Sequence, residues 1–414
     1  MPLSKRRLVT LLAVLLLAGG GCAALWHPAI APIRKPPAFP SEQIADGAEL
    51  AAIGDCAVCH TAANGQAYAG GRGVPTPFGT VYATNITPDP DTGIGLWSLA
   101  AFRRAMRDGI DRAGRHLYPV LPYPHFTRAS DEDIAAMYAF LMSRTPVHAS
   151  TPPNALSFPL DNRALLAGWN FLYLKPGPWQ PDPAHDPTWN RGAYLVEAIG
   201  HCGGCHTPRN ALGAERATTL AGGEVENWYA PPLQAASPAR LPWTRQDLAS
   251  YLRTGFDAHH GAAAGPMAAV TEQLARVGDG DIDAMAEYIA SLMPKSAARP
   301  VAVHPGTSDL VASEIFDGAC GGCHSTDAPM TRDGAPSLAL STAVNAPTPA
   351  AAIQIILHGI PWREGKAAPY MPAFGDALTD AQVAELAEYL RATYSDAATW
   401  TDIPAAVAKA REAS

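Results

Sequence analysis

Three times along this chain two cysteines stand three apart with a histidine directly after the second: Cys56-Ala57-Val58-Cys59-His60, Cys202-Gly203-Gly204-Cys205-His206 and Cys320-Gly321-Gly322-Cys323-His324. Paired cysteines on one short turn can form thioether bonds to the two vinyl edges of a porphyrin. The adjoining histidine then offers a ring nitrogen to the iron, so the spacing is the attachment signature of c-type haem. The sequence therefore predicts three covalently bound haem c groups, with His60, His206 and His324 as proximal ligands. A structural zinc site would bring two cysteine pairs to one ion, yet the first cysteines of successive pairs lie 146 and 118 residues apart. A redox dithiol needs no histidine beside it in three copies.

The second axial ligand follows from laying the repeats over one another. Met267, in Gly265-Pro266-Met267, lies 12 residues after Gly255, and Met371, in Tyr370-Met371-Pro372, lies 12 after Gly359. Both sit in proline-containing stretches without helical periodicity, expected as loops from which a thioether reaches the distal face of a haem. Methionine opposite histidine raises the reduction potential. The same offset from Gly109 falls on Leu121, which cannot bind iron. The candidates there are His125, in Pro122-Tyr-Pro-His125-Phe126, and His116, the alternative being an open iron. His125 is the ligand expected here, giving a bis-histidine iron of lower potential. His259 and His260 read as solvated or propionate-side residues, and His358 as a cap at a helix C-terminus.

These groups must be carried by a repeated set of elements. Each repeat opens with an apolar stretch leading into its motif, with Gly54, Gly200 or Gly318 two residues before the first cysteine. Apolar spacings of three and four then predict helices over 99–109, 248–255 and 353–359, each ending at a glycine. Closing helices are predicted over 134–141, 282–292 and 383–394, with capping-box spacing at Ser130/Asp133 and Thr379/Gln382. The expected fold is all-α, as three tandem domains (41–148, 185–294 and 307–396) joined by Pro-rich linkers. Residues 149–184 form a linker expected to be packed, since Trp169, Phe171, Tyr173 and Trp179 are costly to leave in water. The tail, 397–414, is expected to be peripheral.

The chain has 414 residues, 48% apolar and 16% charged, enough for several folded domains. Its 39 prolines and 36 glycines predict short helices separated by ordered loops. A net charge of −8 argues against a nucleic-acid partner. Lys5-Arg6-Arg7, the apolar run from Leu8 to Ala18 and the small residues up to Ala24 read as an export signal or an uncleaved anchor. Cys22 belongs to no pair and stands where a lipidated cysteine would.

The stretches Thr76-Pro-Phe-Gly-Thr-Val-Tyr82, Thr84-Asn-Ile-Thr-Pro-Asp89, Thr92-Gly-Ile-Gly95, Asn190-Arg-Gly-Ala-Tyr-Leu195, Cys205-His-Thr-Pro-Arg-Asn210 and Met371-Pro-Ala-Phe374 resemble three-haem cytochrome subunits of bacterial membrane-bound dehydrogenases. The resemblance covers all three repeats. It implies an electron-transfer subunit at the periplasmic face of the cytoplasmic membrane, held by the N-terminal segment, a lipid on Cys22 or the partner. A separate catalytic subunit, a quinoprotein, flavoprotein or molybdenum hydroxylase, would supply electrons that pass on to ubiquinone or a terminal oxidase. Alcohol- and gluconate-type subunits carry methionine where this chain has Leu121. Together with Leu117-Tyr-Pro and Pro124-His-Phe126, that departure is similar to cytochromes paired with molybdenum hydroxylases acting on aldehydes or N-heterocycles. No Gly-rich phosphate fingerprint follows a strand, and the chain is expected to supply no flavin, pterin or quinone-cofactor site of its own. The competing class is a peroxidase-like haem enzyme working at an open first iron.

Overall fold

The computed structural model of the chain describes residues 27–35, 37–293, 303–304, 310–325, 328, 337–361 and 370–412. The export or anchor segment and Cys22 lie outside them. Two compact units are formed, Met1–Ala51 with Cys59–Trp179, and Ala52–Val58 with Gln180–Ser414.

In the first repeat, helix α1 (Ser41–Ile53) runs into the single turn α2 (Cys56–Cys59). Helix α3 (Leu99–Asp108) is started by Ser98, whose hydroxyl accepts from Ala101 N, and stopped by left-handed Gly109. The short turn α4 (Tyr123–Phe126) and helix α5 (Asp131–Met142) follow, the latter capped by Ser130. Ile134, Met137, Tyr138 and Leu141 of α5 are almost wholly buried. Helix α1 crosses α5 where it has no side chain: a Cβ at Gly47 would fall 1.9 Å from the Ala136 carbonyl oxygen. Two antiparallel strands, β1 (Gly73–Thr76) and β2 (Gly79–Tyr82), pair as a hairpin, and β2 also pairs with β3 (Ala155–Leu156). Helix α6 (Leu165–Tyr173) completes the unit.

The second unit repeats this plan. Helix α7 (Pro187–Tyr194) begins at an Asp186 cap with proline at its first position. It widens into a π turn, Leu195–Ile199, before the turn α8 (Gly203–His206). Strands β4 (Gly223–Val225) and β5 (Trp228–Ala230) pair, α9 (Arg245–Thr254) carries a full Thr244/Asp247 capping box, and β6 (Phe256–Asp257) pairs with β7 (Gly261–Ala262). Helices α10 (Gly265–Leu274) and α11 (Asp279–Leu292) follow. The α7–α11 crossing copies that of α1 on α5, since a Cβ at Gly192 would lie 1.9 Å from the Ala284 carbonyl oxygen. Arg191 clamps it with two bonds to Asp281, at 2.9 and 2.7 Å.

The third repeat is α12 (Leu310–Ile315), a second π turn (Phe316–Cys320), α13 (Gly321–His324), α14 (Thr342–Asn345), α15 (Ala350–His358), α16 (Asp380–Tyr394) and α17 (Ile403–Glu412). Thr379 and Gln382 form the expected capping box at the start of α16.

The fold is largely helical, with small sheets that the all-α expectation omitted. Two further expectations are corrected. The tail is not peripheral: Trp400, Ile403, Val407 and Ala410 enter the core of the third repeat, and the buried Arg391 guanidinium bonds the Val344, Ala346 and Ala398 carbonyls beneath the Trp400 ring. In the linker, Trp169, Tyr173 and Trp179 are half-buried as expected, but Phe171 is 88% exposed.

Candidate haem sites

Each attachment motif closes a helix. Cys56 and Cys59 bound the single turn α2, with His60 directly after it, while Cys205 and His206 end α8 and Cys323 and His324 end α13. The residue before the first cysteine is left-handed in the first two repeats, Asp55 at φ 50° and His201 at φ 39°, which turns the chain from the helix into the motif. The six cysteines are not linked to one another and all keep accessible surface. Burial pushes the Cys202 thiol up to about 12, helped by the Asp55 carboxylate and Cys205, and burial with Cys323 pushes Cys320 up to about 11. Among the described residues, neither group of side chains arranged to hold a metal ion, Asp89 with Asp91 and His148 or Asp247 with Asp257 and His259, contains a cysteine.

The proximal histidines are pre-aimed. His60 Nδ1 lies 2.6 Å from the Thr84 carbonyl oxygen, and His206 Nδ1 lies 2.6 Å from that of Pro231. A carbonyl can only accept, so Nδ1 carries the proton in each ring and Nε2 keeps its lone pair for a metal. Burial lowers the pKa of both rings against the opposing pull of the carbonyl, which keeps them neutral and able to ligate. The Thr84 carbonyl is held in place by its own loop. Asn85 Nδ2 bonds the Val147 carbonyl and the Thr92 hydroxyl, Thr87 bonds Asn85 Oδ1, and Asp89 Oδ1 accepts from Thr92 N and Oγ1. For His324, whose ring burial also renders neutral, no such bond is seen among the described residues.

Backbone bonds set the distal register. Leu117 N bonds Gly109 O at 2.7 Å, and Ala263 N bonds Gly255 O at 2.8 Å, so positions 117 and 263 correspond. Four residues further stand Leu121 and Met267. Met267 is not in a loop as expected; it is the third residue of α10, which Pro266 can start because proline at the first turn loses no hydrogen bond. Met371 differs again: it bridges Ile360 directly, N to O at 3.0 Å and O to N at 2.9 Å. Equal offsets from glycine thus hide two different backbones.

His125 lies in α4, one turn beyond Leu121, and keeps accessible surface, as do His60, His206, Met267 and Met371. His116 is only 8% exposed, with both ring nitrogens buried and unbonded and its ring edge-on to His27 at 5.3 Å. A side chain enclosed by protein on every side is not placed to meet a haem. His260 is likewise buried, stacked on Trp243 at 3.6 Å, whereas His259 is largely exposed and His358 ends α15 at the surface.

Residues Ala52–Val58, which include Cys56, belong to the second unit, where His201 Nε2 donates to Gly54 O at 3.2 Å beside Cys202. The turns carrying Cys56 and Cys202 are therefore neighbours. The carbonyls of Thr84 and Pro231, the Gly47 and Gly192 crossings and this contact were not foreseen from the sequence. A chain signal existed only for the first, in the stretch Thr84-Asn-Ile-Thr-Pro-Asp89.

Compared with known proteins, residues 44–145 and 190–293 match the cytochrome c family, and 311–390 match cytochrome C oxidase, cbb3-type, subunit III. The chain is 46% identical over 398 residues to a subunit of the nicotinate dehydrogenase of Pseudomonas putida, covering 93% of this chain and 33% of that one, so it spans a third of that relative's length. It is 37% identical over 431 residues to the fructose dehydrogenase cytochrome subunit of Gluconobacter japonicus, covering 96% and 87% of the two chains. With the gluconate 2-dehydrogenase cytochrome c subunit of Pantoea cypripedii it shares 35% identity over 391 residues, covering 88% and 89%.

Proposed function

Because the chain belongs to the cytochrome c subunits of dehydrogenases, electron-transfer components rather than catalytic ones, we propose that it holds three haem c groups and carries electrons from a separate catalytic subunit to ubiquinone or a terminal oxidase. Haem c supplies one-electron redox chemistry when bound. The protein's part is to fix orientation, ligation and spacing. Cys56 and Cys59, Cys202 and Cys205, and Cys320 and Cys323 make the thioether attachments, while His60, His206 and His324 present Nε2. Met267 and Met371 complete the second and third sites, favouring higher potentials, and His125 completes the first.

The observation that carries this reading is the doubled His Nδ1 to carbonyl bond, 2.6 Å at both His60 and His206, which leaves Nε2 available to a metal in the first two repeats. The neighbouring Cys56 and Cys202 turns would hold attachment points of the first two haems side by side. The partner we assign is a hydroxylase of an N-heterocycle: Leu121 departs from the methionine pattern, and the relative named for nicotinate, a pyridine carboxylate, shares 46% identity. The location assigned is the periplasmic side of the cytoplasmic membrane. No helix among the described residues is long and apolar enough to cross it.

The test is anaerobic mixing of the purified holo-chain with the dehydrogenase encoded beside it and that enzyme's substrate. Three haems per chain, reduced only when both are present, are expected. Substrate oxidation by the isolated chain, or haems that stay oxidised, would overturn the assignment.

A further inference from the structure

Helix α6 is apolar on both its sides and turns its single amide inward. On its inner side Leu166 is buried, Trp169 packs on Tyr123 and Tyr173, and Asn170, the polar residue of the helix, accepts from the Tyr123 hydroxyl at 2.6 Å and donates to the Asp108 carbonyl at 3.3 Å. Its outer side shows Leu165 at 50%, Phe171 at 88% and Leu172 at 62% exposure, around a Gly168 where an added Cβ would meet nothing within 4 Å. Positions 165, 168 and 172 form one stripe at helical spacing. The loop leading in adds exposed Phe158 and Leu160. Five of the nine large apolar side chains exposed among the described residues thus fall within 158–172. Single exposed leucines need no partner, but a continuous apolar face does.

What covers it is indicated by where the chain enters. Residues 27–33 are strapped to the first unit by Ile30 N to Arg112 O, Ile33 N to Leu96 O and Arg104 Nη1 to Pro28 O, at 2.9, 3.1 and 2.7 Å. At the start of this strap His27 meets the His116 ring, and the His116 carbonyl accepts from Arg163 Nη1 at 2.7 Å, two residues before Leu165. The apolar run Leu8–Ala18 ends nine residues before His27. The membrane-directed end of the chain is therefore delivered to the start of α6. Lys175, exposed just beyond the helix, is of a residue type that sits at a bilayer boundary.

We propose that the outer face of α6, with Phe158 and Leu160, is a docking surface that lies in the plane of a lipid bilayer, its apolar side chains seated at the headgroup–acyl boundary. Nine residues are too short to span, so the helix lies flat. The inference rests on the membrane-side location proposed above.

A photoreactive benzoylphenylalanine replacing Phe171 in the full-length holo-chain, illuminated in native membranes with the dehydrogenase present, tests it; the same group at the exposed Leu212 is the control. Lipid adducts at 171, at least about tenfold above those at 212, are expected. Adducts to the catalytic subunit, or equal lipid labelling at both sites, would overturn it. Haem reduction by the dehydrogenase, measured on the same membranes, separates the two ideas: reduction without lipid adducts sinks the docking face alone, and adducts without reduction support the face while sinking the electron-transfer role.

Discussion

Replacing Gly192 by alanine forces apart the two helices on which the second repeat is built. The new methyl would stand 1.9 Å from the Ala284 carbonyl oxygen and 3.0 Å from the Tyr288 Cβ. Contacts between heavy atoms settle at about 3.5 Å, so α7 and α11 would have to separate by more than about 1 Å. The gap opens beside Val196, Ile282, Met285 and Ile289, none more than 3% exposed. A gap of that width forfeits a quarter to a half of each dispersion contact across it. Overpacking of this kind costs about 1–3 kcal/mol, and alanine's helix preference returns about 1 kcal/mol, for a net loss of about 1 kcal/mol at the middle of the range. Gly280 is the internal control: it is on α11 too, but exposed, with nothing within 4 Å of an added Cβ, so Gly280→Ala should gain about 0.5 kcal/mol. Denaturant unfolding of the holo-protein, followed by circular dichroism, measures both. Equal stabilities for Gly192→Ala and the parent, within about 0.5 kcal/mol, would refute the crossing geometry.

Four further outcomes are expected. His125→Ala should let the reduced first haem bind carbon monoxide at neutral pH, seen as a Soret shift, whereas His116→Ala should not. Met267→His should lower the potential of the second haem in a redox titration by a sizeable part of the roughly 0.8 V that axial ligands span. Arg391→Leu should destabilise the third repeat by about 3 kcal/mol in a thermal melt, because the buried Val344 and Ala346 carbonyls, and that of Ala398, lose a charged donor. Burial, aided by His27, lowers the pKa of His116, so its ring is neutral in the fold and takes up a proton more readily when unfolded. Its contribution is then full above pH 6.5 and lost as pH falls; the melting temperature of His116→Leu should drop less between pH 7 and 5.5 than that of the parent.

The motifs, the glycine-terminated helices and the closing helices were legible because each is written locally, in a spacing of three and four or in a cap. Predicted ends such as Gly109 and Gly255 fall one residue past the observed helices. The carbonyls of Thr84 and Pro231 were not legible, since any residue supplies a carbonyl and only the path of the loop selects one. Helix α17 escaped because Ile403, Val407 and Ala410 are a sparse apolar stripe among alanines and charges. Phe171 was misplaced for the opposite reason: aromatic content predicts burial, but not whether protein does the burying. The distal register was half legible. Counting found Met267 and Met371, and hydrogen bonds were needed to show that Met267 begins a helix while Met371 closes a bridge.

From the crossing glycine to the glycine before the motif is seven residues in the first repeat, Gly47 to Gly54, and eight in the second, Gly192 to Gly200. On an uninterrupted α-helix one extra residue turns everything beyond it by about 100°, which would swing the cysteines away from their partners. The π turn Leu195–Ile199 takes up that residue, and Tyr288 of α11 braces it by donating its hydroxyl to Glu197. The turn works as a phase corrector: the helix can lengthen at one point while its crossing and its cysteines keep the same bearing. Deleting one residue within Leu195–Ile199 should therefore restore a plain α-helix and still attach haem, whereas inserting one into α1 should succeed only by making such a turn anew.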